Sequence, residues 1–142
     1  MNRKTIAILA SIVLSSSAWA DTFNSRCEYL GTGNIGISCT DIQQAAAQAI
    51  TDEFIKKFPS SDYSIIFSVH SGIVGDSEQY TAIASLYKMD PKRNEVIITP
   101  ALAGFSAGGN DSKSPTLALQ KEHLLGVVKE AVQALVSWGA GR

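Results

Sequence analysis

Two successive segments of this chain alternate between apolar and polar side chains, and this pattern constrains the fold most. Apolar residues occupy every second position from Tyr63 to Val69, and the same period recurs from Tyr80 to Leu86. Successive side chains of a strand point to opposite faces of its sheet, so the alternation predicts strands with one buried and one open face. Such strands are typical of antiparallel sheets. A further strand is predicted over residues 95–99, which end before Pro100.

Two helices are predicted to cover the buried face. The first begins at Thr40, which forms a capping box with Gln43, and it ends before Pro59. The second begins with Ser114 as its N-cap and ends at Gly139. Apolar residues recur at helical spacing along both segments. The Gly-, Ser- and Asn-rich residues 104–113 between strand and helix are predicted to form a loop.

The first twenty residues match a secretory signal peptide. Arg3 and Lys4 precede a short apolar run, and Ala18-Trp19-Ala20 has the small residues of a cleavage site. We therefore expect cleavage after Ala20, a periplasmic location, and one α+β domain over residues 21–142. Loss of the two leading cations changes the formal net charge from −1 to −3, which argues against a nucleic-acid partner. No second apolar stretch is long enough to insert into a membrane.

Both cysteines, Cys27 and Cys39, follow the predicted cleavage site. An even count in an oxidising compartment favours a disulfide. Residues 27–30 and 35–38 read as two short strands joined by a glycine-rich turn, so the bond would tie the open end of a hairpin. The predicted fold is therefore α+β: an antiparallel sheet with two helices packed on one face and an N-terminal, disulfide-tied hairpin.

The sequence offers one catalytic constellation. Residues 104–108, Gly-Phe-Ser-Ala-Gly, match a nucleophile elbow, and Asp111 and His123 follow Ser106 in the order used by α/β hydrolases. An elbow requires a parallel sheet and a helix immediately after the serine, and neither is predicted here. We therefore expect no catalytic residues, no metal and no cofactor. A small periplasmic serine hydrolase that uses Ser106, Asp111 and His123 is the alternative.

A glycine-containing loop, Ser71–Glu78, joins the strands predicted over residues 63–69 and 80–86, and it is the candidate partner surface. Its ends are held by strands, its glycines allow close approach, and its apolar residues Ile73 and Val74 could contact a partner or fold back onto the core. Ile66, Ile83 and Tyr87 add apolar side chains to the open face of the sheet, which could bind a partner or lie under the hairpin. The predicted partner-binding residues are His70, Ser71, Gly72, Ile73, Val74, Gly75, Asp76 and Glu78.

The Ala18-Trp19-Ala20 site, the cysteine pair and the stretch SIIFSVHSGIVGD over residues 64–76 together resemble periplasmic immunity proteins of type VI secretion systems. The resemblance is to the partner of a peptidoglycan-degrading domain at the end of a VgrG spike protein. It implies an inhibitor, not an enzyme, that binds a secreted cell-wall-degrading toxin and blocks its active site. Two alternatives remain: the protein could form a homodimer, and it could have a structural accessory role in the envelope.

Overall fold

A four-stranded mixed sheet with helices packed against it forms the framework of the protein. The computed structural model describes residues 25–31, 35–90, 92–93, 95–96, 100–112 and 116–142. The signal peptide predicted over 1–20 and the turn residues 32–34 lie outside these ranges. The strands and helices follow in the order β1 (Ser25–Gly31), α1 (Cys39–Ala47), α2 (Asp52–Lys57), β2 (Tyr63–Val74), β3 (Ser77–Asp90), β4 (Glu95–Val96), β5 (Ala103–Ser112) and α3 (Leu117–Ala140).

The sheet has the strand order β1-β2-β3-β5, and the two-residue β4 pairs only with the end of β3. β3 is antiparallel to both β2 and β5, whereas β1 runs parallel to β2. The α+β class predicted from the sequence is confirmed. The expectation of a purely antiparallel sheet is wrong for β1, because a long connection through α1 and α2 returns the chain to β2 in the same direction.

The core lies between one face of the sheet and the helices. The alternation predicted for β2 and β3 is confirmed: Ile65 and Val69 are fully buried, and so are Ala84 and Leu86 on the neighbouring strand. α3 supplies the facing layer, and its buried residues include Leu124, Val128, Val132 and Leu135. The opposite sheet face carries Ile83, which is 36% exposed.

The first helical segment begins earlier than predicted and is divided in two. Ser38, not Thr40, is the N-cap of α1: its hydroxyl accepts from the Asp41 amide, and the Asp41 carboxylate accepts from the Ser38 amide at 2.9 Å. This reciprocal pair is a capping box of Ser38 and Asp41, and it replaces the one predicted for Thr40 and Gln43. Thr51 then caps α2 by accepting from the Phe54 amide at 3.3 Å. A second cap inside the predicted helix interrupts it, because side-chain acceptors compete with the helical backbone.

The predicted N-terminal hairpin does not form. Residues 35–38 are not a strand, and Ile35 is buried in the core. Gly36, at φ +70°, redirects the chain toward α1. The predicted disulfide between Cys27 and Cys39 is present, with its Cα atoms 5.7 Å apart. It ties β1 to the first residue of α1 instead of closing a hairpin.

The glycine-rich segment predicted as a loop over 104–113 is the strand β5. It pairs with Ser77–Leu86 of β3. β2 satisfies the backbone hydrogen-bonding groups on one side of β3, and β5 satisfies those on the other side over this range. Thr116 is the N-cap of α3, and the predicted cap Ser114 lies outside the described residues. The helix continues to Ala140, one residue beyond its predicted end. Of the strand predicted over 95–99, only Glu95–Val96 belongs to the described residues.

Candidate functional site

The predicted partner loop is a tight hairpin instead of a loop. β2 extends to Val74 and pairs with Ser77, so only Gly75 and Asp76 form the turn. Gly75 has φ +62°, a conformation that residues with a Cβ rarely adopt. Local sequence reasoning missed the extension because the glycines of this segment interrupt the alternating pattern, while the neighbouring strand supplies the hydrogen bonds that extend it.

The eight predicted partner residues do not share one surface. Ile73 is 68% exposed and Val74 is 59% exposed, so they do not fold back onto the core. Gly75 and Asp76 are exposed beside them, and we call these four residues the hairpin tip. The others lie elsewhere: His70 and Gly72 are half-buried on the open face of the sheet, and Ser71 and Glu78 are buried on the helix side.

Ser71 and Glu78 are buried and pair with residues of neighbouring strands. The Ser71 hydroxyl lies 2.9 Å from the hydroxyl of Tyr29 on β1, so it links two strands. Glu78 pairs across the sheet with Asp111 of β5. Two carboxylates in directly opposite positions repel each other, so this end of the sheet needs hydrogen-bond donors and positive charge nearby.

Tyr80 and His123 lie beside these carboxylates and contact Asp111. The Tyr80 hydroxyl donates to Oδ2 of Asp111 at 2.8 Å, and Nδ1 of His123 lies 2.6 Å from the same oxygen. β3, β5 and α3 each contribute one side chain to this Tyr80–Asp111–His123 cluster. Tyr80 is 2% exposed, whereas the side chains of Asp111 and His123 are 16% and 41% exposed. The cluster therefore joins the core to the surface.

The cluster shifts the acidity of two of its members. Burial raises the pKa of Tyr80 above its usual range, and the nearby carboxylates of Asp111 and Glu78 raise it further. Burial opposes ionisation of Asp111, but the hydrogen bonds from His123 and Tyr80 outweigh it and lower the pKa of this carboxyl. The stable form of the cluster therefore contains a neutral tyrosine and an ionised aspartate.

Ser106 lies away from the other two residues of the hydrolase constellation. The structure brings Asp111 and His123 together, but Ser106 pairs with Ile83 on the open face of the sheet, while Asp111 faces α3. An odd separation of five residues places two side chains on opposite faces of a strand, about 17 Å apart along it. The three residues do not form a nucleophile–base–acid arrangement, because the base must lie within hydrogen-bond reach of the nucleophile.

A groove runs between β5 and α3 beside the cluster. Its volume is about 470 Å³, and it is open to solvent along one side. β5 contributes Gly109, Asn110 and Asp111 to its lining. The α3 side consists of Glu122, His123, Gly126, Val127, Lys129 and Glu130. Sequence reasoning missed this groove, because residues 104–113 carry no periodic pattern that would have placed them beside the helix.

The described residues contain no group of three or more His, Cys, Asp or Glu side chains arranged to hold a metal ion. Within the same ranges, no helix combines the length and the apolar character needed to cross a bilayer.

Comparisons with known proteins give distant structural similarities only. Neither the protein-family models nor the curated proteins contain a match to this chain. Among solved structures, a minor lipoprotein from Acinetobacter baumannii aligns with TM-score 0.42 and 12% identity over 86% of this chain and 96% of its own. A candidate lipoprotein from Caulobacter crescentus CB15 aligns with TM-score 0.41 and 11% identity over 88% of this chain and 96% of its own. The PelC dodecamer protein from Paraburkholderia phytofirmans aligns with TM-score 0.40 and 8% identity over 80% of this chain and 88% of its own. Similarities this weak carry no functional assignment.

Proposed function

We propose that this protein is an exported inhibitor that binds a secreted cell-wall-degrading toxin in the periplasm and blocks its active site. The observation that carries the proposal is the hairpin tip, where Ile73 and Val74 are exposed at the end of a rigid pair of strands. The predicted signal peptide and the Cys27–Cys39 disulfide support export to an oxidising compartment.

The hairpin tip has the properties of an inhibitory wedge. β2 is paired on both sides, by β1 and by β3, up to the residues just before the tip. Isoleucine and valine have few side-chain rotamers, so little conformational entropy is lost when they enter a partner. Enzyme clefts are concave and largely apolar, and a narrow apolar projection has the complementary shape.

Asp76 adds a negative charge to the tip. A cleft whose rim carries basic side chains would attract this charge and orient the wedge during the encounter. Glu78, which sequence reasoning assigned to the same role, is only 9% exposed and pairs with Asp111 across the sheet. The proposed contact surface is therefore restricted to residues 73–76.

The test uses a secreted peptidoglycan hydrolase captured by this protein from periplasm, and it measures clearing of purified peptidoglycan. The wild-type protein is expected to inhibit at equimolar concentration. Ile73→Asp combined with Val74→Asp is expected to weaken binding at least about a hundredfold, because two buried apolar contacts are replaced by desolvated charges. Its melting temperature should stay within about 2 °C of the wild type, because substitutions at exposed positions rarely change stability.

Leu117→Asp is the matched control, since Leu117 is 61% exposed but lies at the start of α3. It should inhibit like the wild type. Full inhibition by the hairpin variant would exclude the tip as the contact surface. Absence of inhibition by the wild type, with this hydrolase shown to be active, would contradict the inhibitor function for this partner. Ser106→Ala should leave inhibition unchanged, and its loss in that variant would favour the hydrolase alternative.

A further inference from the structure

We propose that the groove between β5 and α3 binds an extended peptide segment that adds to β5 as a further strand and places a Lys or Arg side chain beside α3. The inference goes beyond the proposed function and does not depend on it, because it concerns a different surface from the hairpin tip. Its basis is an unpaired strand edge beside a groove with acidic walls.

Among the described residues, β5 is hydrogen-bonded to another strand along one side only. It pairs with β3 over ten residues, and no other strand in the described part of the chain pairs with it. The backbone N–H and C=O groups of an edge strand alternate between its neighbour and the outside, so the outward set can pair with another extended chain. Adding a strand to such an edge is a common mode of peptide recognition.

The opposite edge of the sheet is protected, so β5 is the edge at which a further strand can be added. At β1, the side chain of Gln43 donates to the carbonyl of Ser25 at 3.2 Å, and the disulfide holds α1 beside the strand. β1 also carries exposed Arg26 and Glu28. Charged side chains and a covering helix are the usual means of blocking an edge. β5 carries one charged residue, Asp111, which is paired with His123 and Tyr80, and its other residues are uncharged: its sequence is Ala-Gly-Phe-Ser-Ala-Gly-Gly-Asn-Asp-Ser.

Room for a chain in the groove lies beside Gly126 on the helix wall, which projects no side chain into it. On the strand wall, Gly109 packs close to α3, because a Cβ placed there would lie 3.3 Å from Cγ2 of Val127. A Cβ placed on Gly126 would meet nothing within 4 Å, so the helix surface is recessed there. Side chains of the helix residues separated by three or four positions share one face, and His123, Val127 and Glu130 lie at this spacing. A side chain of an added strand that points toward α3 would meet this face.

The charges of the groove favour a cation. Glu122 and Glu130 are exposed on the helix wall, about 12 Å apart along its axis. Asp111 is already paired with His123 and Tyr80, so these two glutamates are the carboxylates available to a ligand. The positive charge of Lys129 offsets part of this negative charge and would itself attract an acidic ligand. Comparing a basic with an acidic peptide therefore tests which charge the groove prefers.

The probes are two N-acetylated, C-amidated peptides, Thr-Val-Arg-Val and Thr-Val-Glu-Val, titrated to millimolar concentration into the ¹⁵N-labelled protein without its leader. We expect the Arg peptide to shift the amide signals of residues 108–111 and 122–130 and to leave those of the hairpin tip unchanged. It should bind about fivefold more tightly than the Glu peptide, because its one Arg gains an exposed ion pair of up to about 1 kcal/mol that the Glu peptide lacks.

Glu122→Gln combined with Glu130→Gln should reduce this preference to less than about twofold. Glu28→Gln, on the protected edge, is the matched control and should keep it. Three results would overturn the inference: no shifts with either peptide, shifts that map elsewhere, or equal affinity for both peptides. A dimer of the free protein by analytical ultracentrifugation, with residues 103–112 protected from hydrogen exchange, would also overturn it, because a second copy would then occupy the edge.

Discussion

Replacing Tyr80 by Phe isolates the hydrogen bond that connects the core to the Tyr80–Asp111–His123 cluster. The ring of Tyr80 is buried, so Phe preserves its packing and removes only the hydroxyl that donates to Asp111 at 2.8 Å. A hydrogen bond to a charged acceptor contributes about 1.5–3 kcal/mol to stability. Asp111 keeps His123 and partial solvent access, so the lower part of this range applies, and we expect a loss of about 2 kcal/mol at pH 7.

The pH dependence distinguishes this mechanism from a packing defect. An unfolded tyrosine ionises near pH 10, and the pKa of folded Tyr80 is raised above that value. The folded state therefore binds one more proton than the unfolded state above pH 10, and wild-type stability falls there by about 1.4 kcal/mol per pH unit. The Phe variant lacks this dependence. The difference between the two proteins should shrink from about 2 kcal/mol at pH 7 to about 0.6 kcal/mol at pH 11.

Urea unfolding followed by circular dichroism at pH 7 to 11 measures both quantities, and the expected loss corresponds to about 8 °C in melting temperature at pH 7. Tyr87→Phe, on the open sheet face, is the control for removal of a hydroxyl. The reasoning would be refuted by a stability difference for Tyr80→Phe that stays constant or grows above pH 10, or by a loss at pH 7 no larger than that of the control.

Two further predictions concern the framework. Replacing both Cys27 and Cys39 by Ser should lower the free energy of unfolding by about 3 kcal/mol, as chain-entropy estimates give for a loop of this length, and urea titration under oxidising conditions checks it. Retained stability would show that the bond adds nothing to the fold. Gly139→Ala should destabilise by about 1 kcal/mol net, because its Cβ would lie 2.9 Å from the buried ring of Phe54. Gly126→Ala, in the same helix with open space around it, should stabilise by about 0.5–1 kcal/mol, and equal effects of the two substitutions would contradict the steric explanation.

Sequence reasoning about the candidate site succeeded where a signal was local and failed where partners were distant in the chain. Ile73 and Val74 were selected as apolar residues between two strands, with exposure or packing on the core left open, and they are exposed. Asp111 and His123 were selected together with Ser106, yet only the first two meet. Their contact depends on where α3 lies over β5, which the eleven intervening residues do not encode by themselves.

Sequence patterns alone predicted the α+β class, the buried face of β2 and β3, and the Cys27–Cys39 bond. These features follow from side-chain periodicity and from cysteine count, which are readable along the chain. The folded chain was needed to establish that β1 lies parallel to β2 and that the glycine-rich residues of β5 form a strand. Both choices depend on backbone hydrogen bonds offered by β2 and β3, and a segment with weak preferences of its own takes the structure that its neighbours stabilise. The groove between β5 and α3 is a consequence of that pairing.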